Sequence, residues 1–116
     1  PVLIVADRET GEVKAKLPIT RDVNALAYDE KHQRLLIPSG VDASLMLVDQ
    51  LDADHYAVRA SVSTLPMAYN MAFDPQSQRV FLPAMDFTQP APSKAEPKPD
   101  PVFQANTFSI TTLALD

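Results

Sequence analysis

Apolar and polar residues alternate with a period of two along much of this chain, and turn residues break the alternation every few positions. Val2–Ala6 (VLIVA) is a short continuous apolar run, which predicts a strand buried on both faces. Asp7-Arg8-Glu9-Thr10-Gly11 supplies turn chemistry, with Gly11 free to take a positive φ. Val13, Ala15 and Leu17 then alternate with Glu12, Lys14 and Lys16, a half-buried strand whose lysines suit an outer edge, ended by Pro18. Val23–Tyr28, Arg34–Ile37, Leu45–Val48 and Tyr56–Val62 follow as strands. They are separated by Asp29–Gln33, the breaker Pro38-Ser39-Gly40 and the acidic turn Asp49–Asp54. Leu65-Pro66 closes this series as Leu17-Pro18 closes the first. Tyr69–Phe73, Arg79–Leu82 and Phe108–Thr112 are the last predicted strands, and no apolar i, i+3, i+4 pattern outlasts a turn.

The strand pattern repeats. Shifted by 45 positions (Asp74 minus Asp29), Val23–Ser39 (VNALAYDEKHQRLLIPS) falls on Ala68–Ala84 (AYNMAFDPQSQRVFLPA). Ala27, Asp29, Gln33, Arg34 and Pro38 recur as Ala72, Asp74, Gln78, Arg79 and Pro83, and apolar residues fall on apolar residues between them. Leu45–Val48 likewise matches the opening apolar run, with Asp49 where Asp7 stands. A strand repeat of about 40–45 residues is the signature of a β-propeller blade. With the strands of a blade lettered a to d from the axis outward, residues 1–19 supply c and d of one blade. Residues 20–66 supply a complete blade and 67–116 supply a, b and c of a final one. Closed propellers use about 4–8 blades. The expected fold is therefore all-β, an incomplete arc of about two and a half blades. Such an arc cannot close alone and is not expected to be a stable monomer, since its end blades present apolar faces and unpaired edges.

Pro90, Pro92, Pro97, Pro99 and Pro101 crowd the stretch 88–101, with Pro83 as a lead-in. No sheet accommodates that density of missing N–H donors, so an extended, polyproline-like excursion between strands b and c is predicted. Flanking it, Phe87 and Phe103 are placed to anchor its ends in apolar pockets. The excursion itself is either a surface loop or a strap across a neighbouring blade or subunit.

Two patterns, D-x-x-x-G-x-V-x-A-x-L-P-I (Asp7–Ile19) and A-x-D-x-x-x-Q-R-L-L-I-P (Ala27–Pro38), resemble the YVTN family of β-propeller repeats. Asp7, Thr10, Gly11, Val13, Leu17, Pro18, Asp29, Arg34 and Leu36 fit one such repeat; Asp74, Arg79 and Phe81 fit the next. The Pro-rich loop before Asn106–Ile110 is similar to the last blade of these propellers. The resemblance implies a secreted or periplasmic bacterial setting. It carries no single activity, since related propellers include lactonases, cell-surface proteins and subunits of haem and quinoprotein redox enzymes.

Charge and composition narrow the chemistry. The net charge of −5 argues against tracking a nucleic-acid backbone, which needs clustered Lys and Arg. No apolar run reaches the ~18–20 residues of a membrane helix, and the first residues, with no Met and no leader pattern, read as a processed or truncated start. A chain without Cys has no disulfide, thiol nucleophile or Cys-based metal site, and its two glycines rule out glycine-rich phosphate fingerprints. No cofactor, metal site or catalytic residue is expected.

Asp29 and Asp74 read as turn residues whose carboxylates bond nearby backbone N–H groups. Arg34 and Arg79, at the start of strand b, are expected to tie one blade to its neighbour. His32 and His55 each lack the companions that zinc or iron requires. The cluster Asp49, Asp52, Asp54 and His55 lacks a calcium-loop pattern and reads as a solvated turn. The most site-like group is Arg21, Asp22, Asn24, Tyr69 and Asn70, at the start of the two innermost strands, where propeller loops ring the axial mouth. The expected function is a binding or scaffold segment whose partners are the rest of its own propeller or other subunits. The alternative that the resemblance raises is part of an enzyme, a lactonase-like hydrolase or the propeller subunit of a redox complex.

Overall fold

The structure, a computed structural model, describes residues 1–115. Eleven strands and no helix occur among them. Strands β1 (Val2–Ala6) and β2 (Val13–Pro18) form an antiparallel hairpin. Strands β3 (Ala27–Asp29), β4 (Arg34–Ser39), β5 (Ser44–Gln50) and β6 (Tyr56–Ser63) make a four-stranded antiparallel meander in chain order. β7 (Ala72–Asp74) and β8 (Arg79–Ala84) form a third sheet with β11 (Ser109–Ala114), in the order β11-β8-β7. β9 (Phe87–Thr88) and β10 (Val102–Phe103) pair at the base of the Pro-rich excursion.

The internal repeat is kept residue by residue. Ala27 pairs with Leu36 and Asp29 with Arg34 in the meander; Ala72 pairs with Phe81 and Asp74 with Arg79 in the third sheet. Gln50 N donates to Gln33 O just as Leu115 N donates to Gln78 O, both at 2.8 Å. The hairpin and the outer half of the meander share even an irregularity. Val5 pairs with Ala15 and Ala6 with Val13, skipping Lys14; Leu47 pairs with Ala60 and Val48 with Val58, skipping Arg59. A bulge adds local twist and bends the strand that carries it, so both outer strands bend at one place. By this register the meander's counterpart of Leu17 is Val62. Leu65-Pro66 lies beyond the end of β6, because two further residues separate the strand from its closing proline.

Alternation divides each central strand between two faces. Leu36, Leu45 and Leu47 of the meander meet Val80, Leu82 and Ala84 of the third sheet, with Ala68 and Leu115 completing this core. On the meander's opposite face Ile37 and Val48 are fully buried as well, and β2 lies beside β6. Burial stops at the two ends of the stack. Val2 and Ile4 are 57% and 56% exposed, and Phe108 and Ile110 are 62% and 56% exposed. The expectation that VLIVA is covered on both faces is therefore corrected. Only the Leu3 and Val5 side is half-buried, because β1 has a single partner and none of the described residues covers its other face.

Two further boundaries differ from the sequence reading. The inner strands begin at Ala27 and Ala72, later than Val23 and Tyr69, while β4 and β8 run on through Pro38-Ser39 and Pro83-Ala84. One cause accounts for both. Since Gln33 and Gln78 face β5 and β11, alternation turns Pro38 and Pro83 toward β3 and β7, where a proline offers no N–H. The inner strands stop short of the prolines, and the outer neighbours continue along them, pairing Pro38 with Leu45 and Pro83 with Ile110.

The Pro-rich excursion is a closed arm. Its base is held by β9–β10 and by the Phe87 and Phe103 rings, whose centroids lie 6.2 Å apart. Gln89 Nε2 donates to Pro99 O at 2.7 Å, and Ser93 N to Glu96 O at 3.0 Å. Residues 91–98 are exposed throughout, so the arm projects as a loop and does not lie across the neighbouring sheet as a strap.

Candidate functional site

Of the five residues singled out at the start of the inner strands, four fall in two places, Tyr69 in both. Arg21, Asp22 and Tyr69 converge on Gly40, at the end of β4. The Ser39 hydroxyl donates to the Arg21 carbonyl oxygen and accepts from Asp42 N at 3.0 Å. Asp42 in turn takes Arg21 N at 2.9 Å and the guanidinium Nε and Nη2 at 3.0 and 2.6 Å. Gly40 N donates to Asp22 O at 3.5 Å, and Met67 N to Gly40 O at 2.9 Å. Asp22 and Met67 both take left-handed backbone conformations, at φ 54° and 66°.

Gly40 is where these loops cross. A Cβ there would stand 2.8 Å from Tyr69 Cδ1 and 2.9 Å from an Asp22 carboxylate oxygen. The requirement is space, since Gly40 is not a positive-φ position. The Arg21 guanidinium holds the Asp42 carboxyl below the usual carboxylate range, and Asp42 raises Arg21 in return. Arg21 and Asp42 are thus committed to each other, and they fasten the loop before β3 to the β4–β5 turn. Ser39, Gly40 and Asp42 are absent from the sequence reading as site residues. The S-G-x-D spacing after a proline is their only signal, and it says turn rather than junction.

Tyr69 and Asn70 face the second place, a pocket of about 290 Å³ walled also by Met67, Met85, Phe103 and Phe108. Its lining is uncharged: two thioethers, aromatic rings, one phenol and one carboxamide. Such a lining suits a neutral, largely apolar group oriented by one or two hydrogen bonds. Asn24 belongs to neither place and stands exposed on the unpaired run before β3.

A buried polar cluster lies between the meander and the third sheet. Asp29, fully buried, accepts from Lys31 N at 3.2 Å and bonds His32 Nδ1 at 2.6 Å. Gln78, from the other copy of the turn, donates to it at 3.3 Å and to Pro75 O at 2.9 Å. Burial pushes the Asp29 carboxyl up, but the bonds from His32 and Gln78 outweigh it and hold the group below its ordinary value. Asp74 repeats the local half of this pattern, accepting from Gln76 N at 3.0 Å and the Ser77 hydroxyl at 2.6 Å, which lower its carboxyl too. The turn reading of both aspartates holds locally, and Asp29 gains a cross-sheet bond that Asp74 lacks.

Arg34, Asp49 and Asp52 are occupied structurally. Arg34 donates to Asp49 at 2.8 Å within its own sheet, and Arg59 reaches the same carboxylate at 3.1 Å. This corrects the expectation that Arg34 ties one sheet to the next: the strand register puts Asp49 directly opposite it. Ala114 stands opposite Arg79, which is exposed. The Arg34 guanidinium, then burial, then Arg59 act on Asp49, and the net effect lowers its carboxyl. Asp52 caps its own turn through Asp54 N and His55 N, both at 2.9 Å. No group of three or more metal-ligating side chains occurs among the described residues.

No protein-family model matches the chain, and neither curated proteins nor solved structures provide a match.

Proposed function

We propose that this chain is a segment of a YVTN-type β-propeller, serving as a binding or scaffold module that the rest of its propeller or other subunits complete. The observation that carries the reading is the pairing of a residue-exact repeat with open ends. The meander and the third sheet share register and turn chemistry and stack face to face. Val2 and Ile4 at one end, Phe108 and Ile110 at the other, stand in solvent beside the free edges of β1 and β11. Apolar faces next to unpaired edges are sites of association. The uncharged pocket beside Tyr69 and Asn70 is the best place on this segment for a ligand or a partner's apolar side chain.

Sedimentation at low concentration, with mass analysis of any co-purifying chain, tests this. Self-association or a captured partner is the expected result, and a stable folded monomer would sink the reading. A visible absorption spectrum with haem or quinone bands would move the assignment to a redox complex.

A further inference from the structure

In both copies of the Asp-initiated turn the carboxylate bonds the backbone N two residues on and the side chain three residues on, yet the glutamines differ in fate. Gln33 and Gln78 both end their turns in left-handed conformation, at φ 50° and 55°. Gln78 is 7% exposed and reaches across to Asp29 on the preceding sheet. Gln33 is exposed. By the equivalence of the turns its carboxamide faces the sheet that precedes the meander, which in this chain is the two-stranded β1–β2. That hairpin corresponds to β5–β6 down to the skipped residue. In the meander the strand corresponding to β1 has two more strands beyond it, β4 and then β3, joined by the turn that holds Asp29.

We infer that Gln33 is the donor half of an inter-sheet latch, and that the open face beside it takes a two-stranded hairpin whose turn begins with aspartate. The hairpin lies along the free edge of β1, and its carboxylate accepts from the Gln33 carboxamide as Asp29 accepts from Gln78. The occupant is two strands wide because β1 already fills the third place. A second copy of this chain offers its Asp74 turn only as part of the three-stranded β11-β8-β7, so β11 and β1 would compete for one position. The inference rests on the propeller reading and goes beyond it by naming the residue that recognises the neighbour and the acceptor it requires.

The test adds a second copy of residues 20–43 ahead of Pro1 in the full chain and follows amide hydrogen exchange. The added hairpin should protect the outward-facing amides of β1. In this extended protein Gln33→Ala should lower protection in β4 about tenfold, the loss expected for one charge-assisted hydrogen bond. Replacing the aspartate of the added copy by alanine should give the same loss without adding to it. In the original chain Gln33→Ala should change nothing, whereas Gln78→Ala should lower protection in β8. Protected β1 amides with no effect of Gln33→Ala would overturn the latch and leave the propeller reading standing. Unprotected β1 amides would overturn both. An equal effect of Gln33→Ala with and without the added hairpin would also overturn the latch.

Discussion

Asp29 and Asp74 occupy the same turn in two copies, so the same substitution at each separates what the turn needs from what the interface between sheets needs. Asp29→Ala removes three bonds. The Lys31 amide and the partly exposed His32 ring can turn to water; Gln78, 7% exposed, cannot. Its Nε2 keeps Pro75 O, but its Oε1 already has no protein partner, so the carboxamide is left under-satisfied in the interior. One charge-assisted bond lost between buried groups, with the orphan left behind, costs about 2–4 kcal/mol. Asp74→Ala releases Gln76 N and Ser77 Oγ, both on exposed residues, and should cost a small fraction of that. Urea unfolding followed by far-UV circular dichroism, at one fixed protein concentration, makes the comparison. With a slope of ~1.5 kcal/mol per molar, the Asp29 variant should lose roughly 1.3–2.7 M in midpoint. The difference should also depend on pH. The Asp29 carboxyl lies below its ordinary value in the folded chain, so its contribution is complete above the unfolded pKa of ~4 and fades as the pH falls through the folded one. Equal losses at the two aspartates, or a gap unchanged in strong acid, would refute the argument that the cross-sheet bond carries the cost.

Gly40→Ala should destabilise by about 1–2 kcal/mol, the clash with Tyr69 outweighing the entropy gained in the unfolded chain, and should shift the Tyr69 ring resonances. An unchanged or raised midpoint would mean the crossing is loose. Leu36→Ala, which empties the centre of the core, should cost about 2–5 kcal/mol in the same assay. By contrast Ile4→Lys, on the exposed face of β1, should leave the unfolding midpoint nearly unchanged and weaken self-association in sedimentation. Replacing Glu96–Asp100 by a Gly/Ser stretch of equal length should move the melting temperature by no more than about 2 °C, since the residues replaced pack on nothing outside the arm. A larger fall would give the strap reading new support.

What could be read in advance was whatever repeats. Alternation locates the strands, and the 45-residue shift equates Asp29 with Asp74 and Gln33 with Gln78. The internal bonds of each turn follow from that equivalence. The burial of each copy does not, because burial depends on which sheet has a neighbour. The shared Asp and Gln positions of the two turns therefore hide the difference between Gln33, exposed, and Gln78, buried. VLIVA shows the same limit: its composition is that of a covered strand, and the missing cover is a property of the surroundings. Gly40 escaped notice for another reason. Three loops from distant parts of the chain meet on it, and no local pattern marks a position whose only requirement is lack of volume. Arg34 was misread for want of register, since Asp49 is 15 positions away along the chain and directly opposite across the sheet.

Pro38 and Pro83 have an effect that reaches past the strands they sit in. By ending the inner pairing early they uncouple residues 23–26 and 69–71 from the sheets, Asn24 and Asn70 among them. A residue released from a ladder no longer has its side-chain direction dictated by the pleat, and a length change there does not slip the register of anything downstream. The two prolines thus set a frontier in each repeat between positions constrained by the sheet and positions open to substitution. The Tyr69–Asn70 wall of the pocket lies on the open side of that frontier. Asn24 and Asn70, exposed on these runs, can therefore change while the stacked sheets, held by Leu36, Leu45, Val80 and Leu82 with Met71 packed against them, stay as they are.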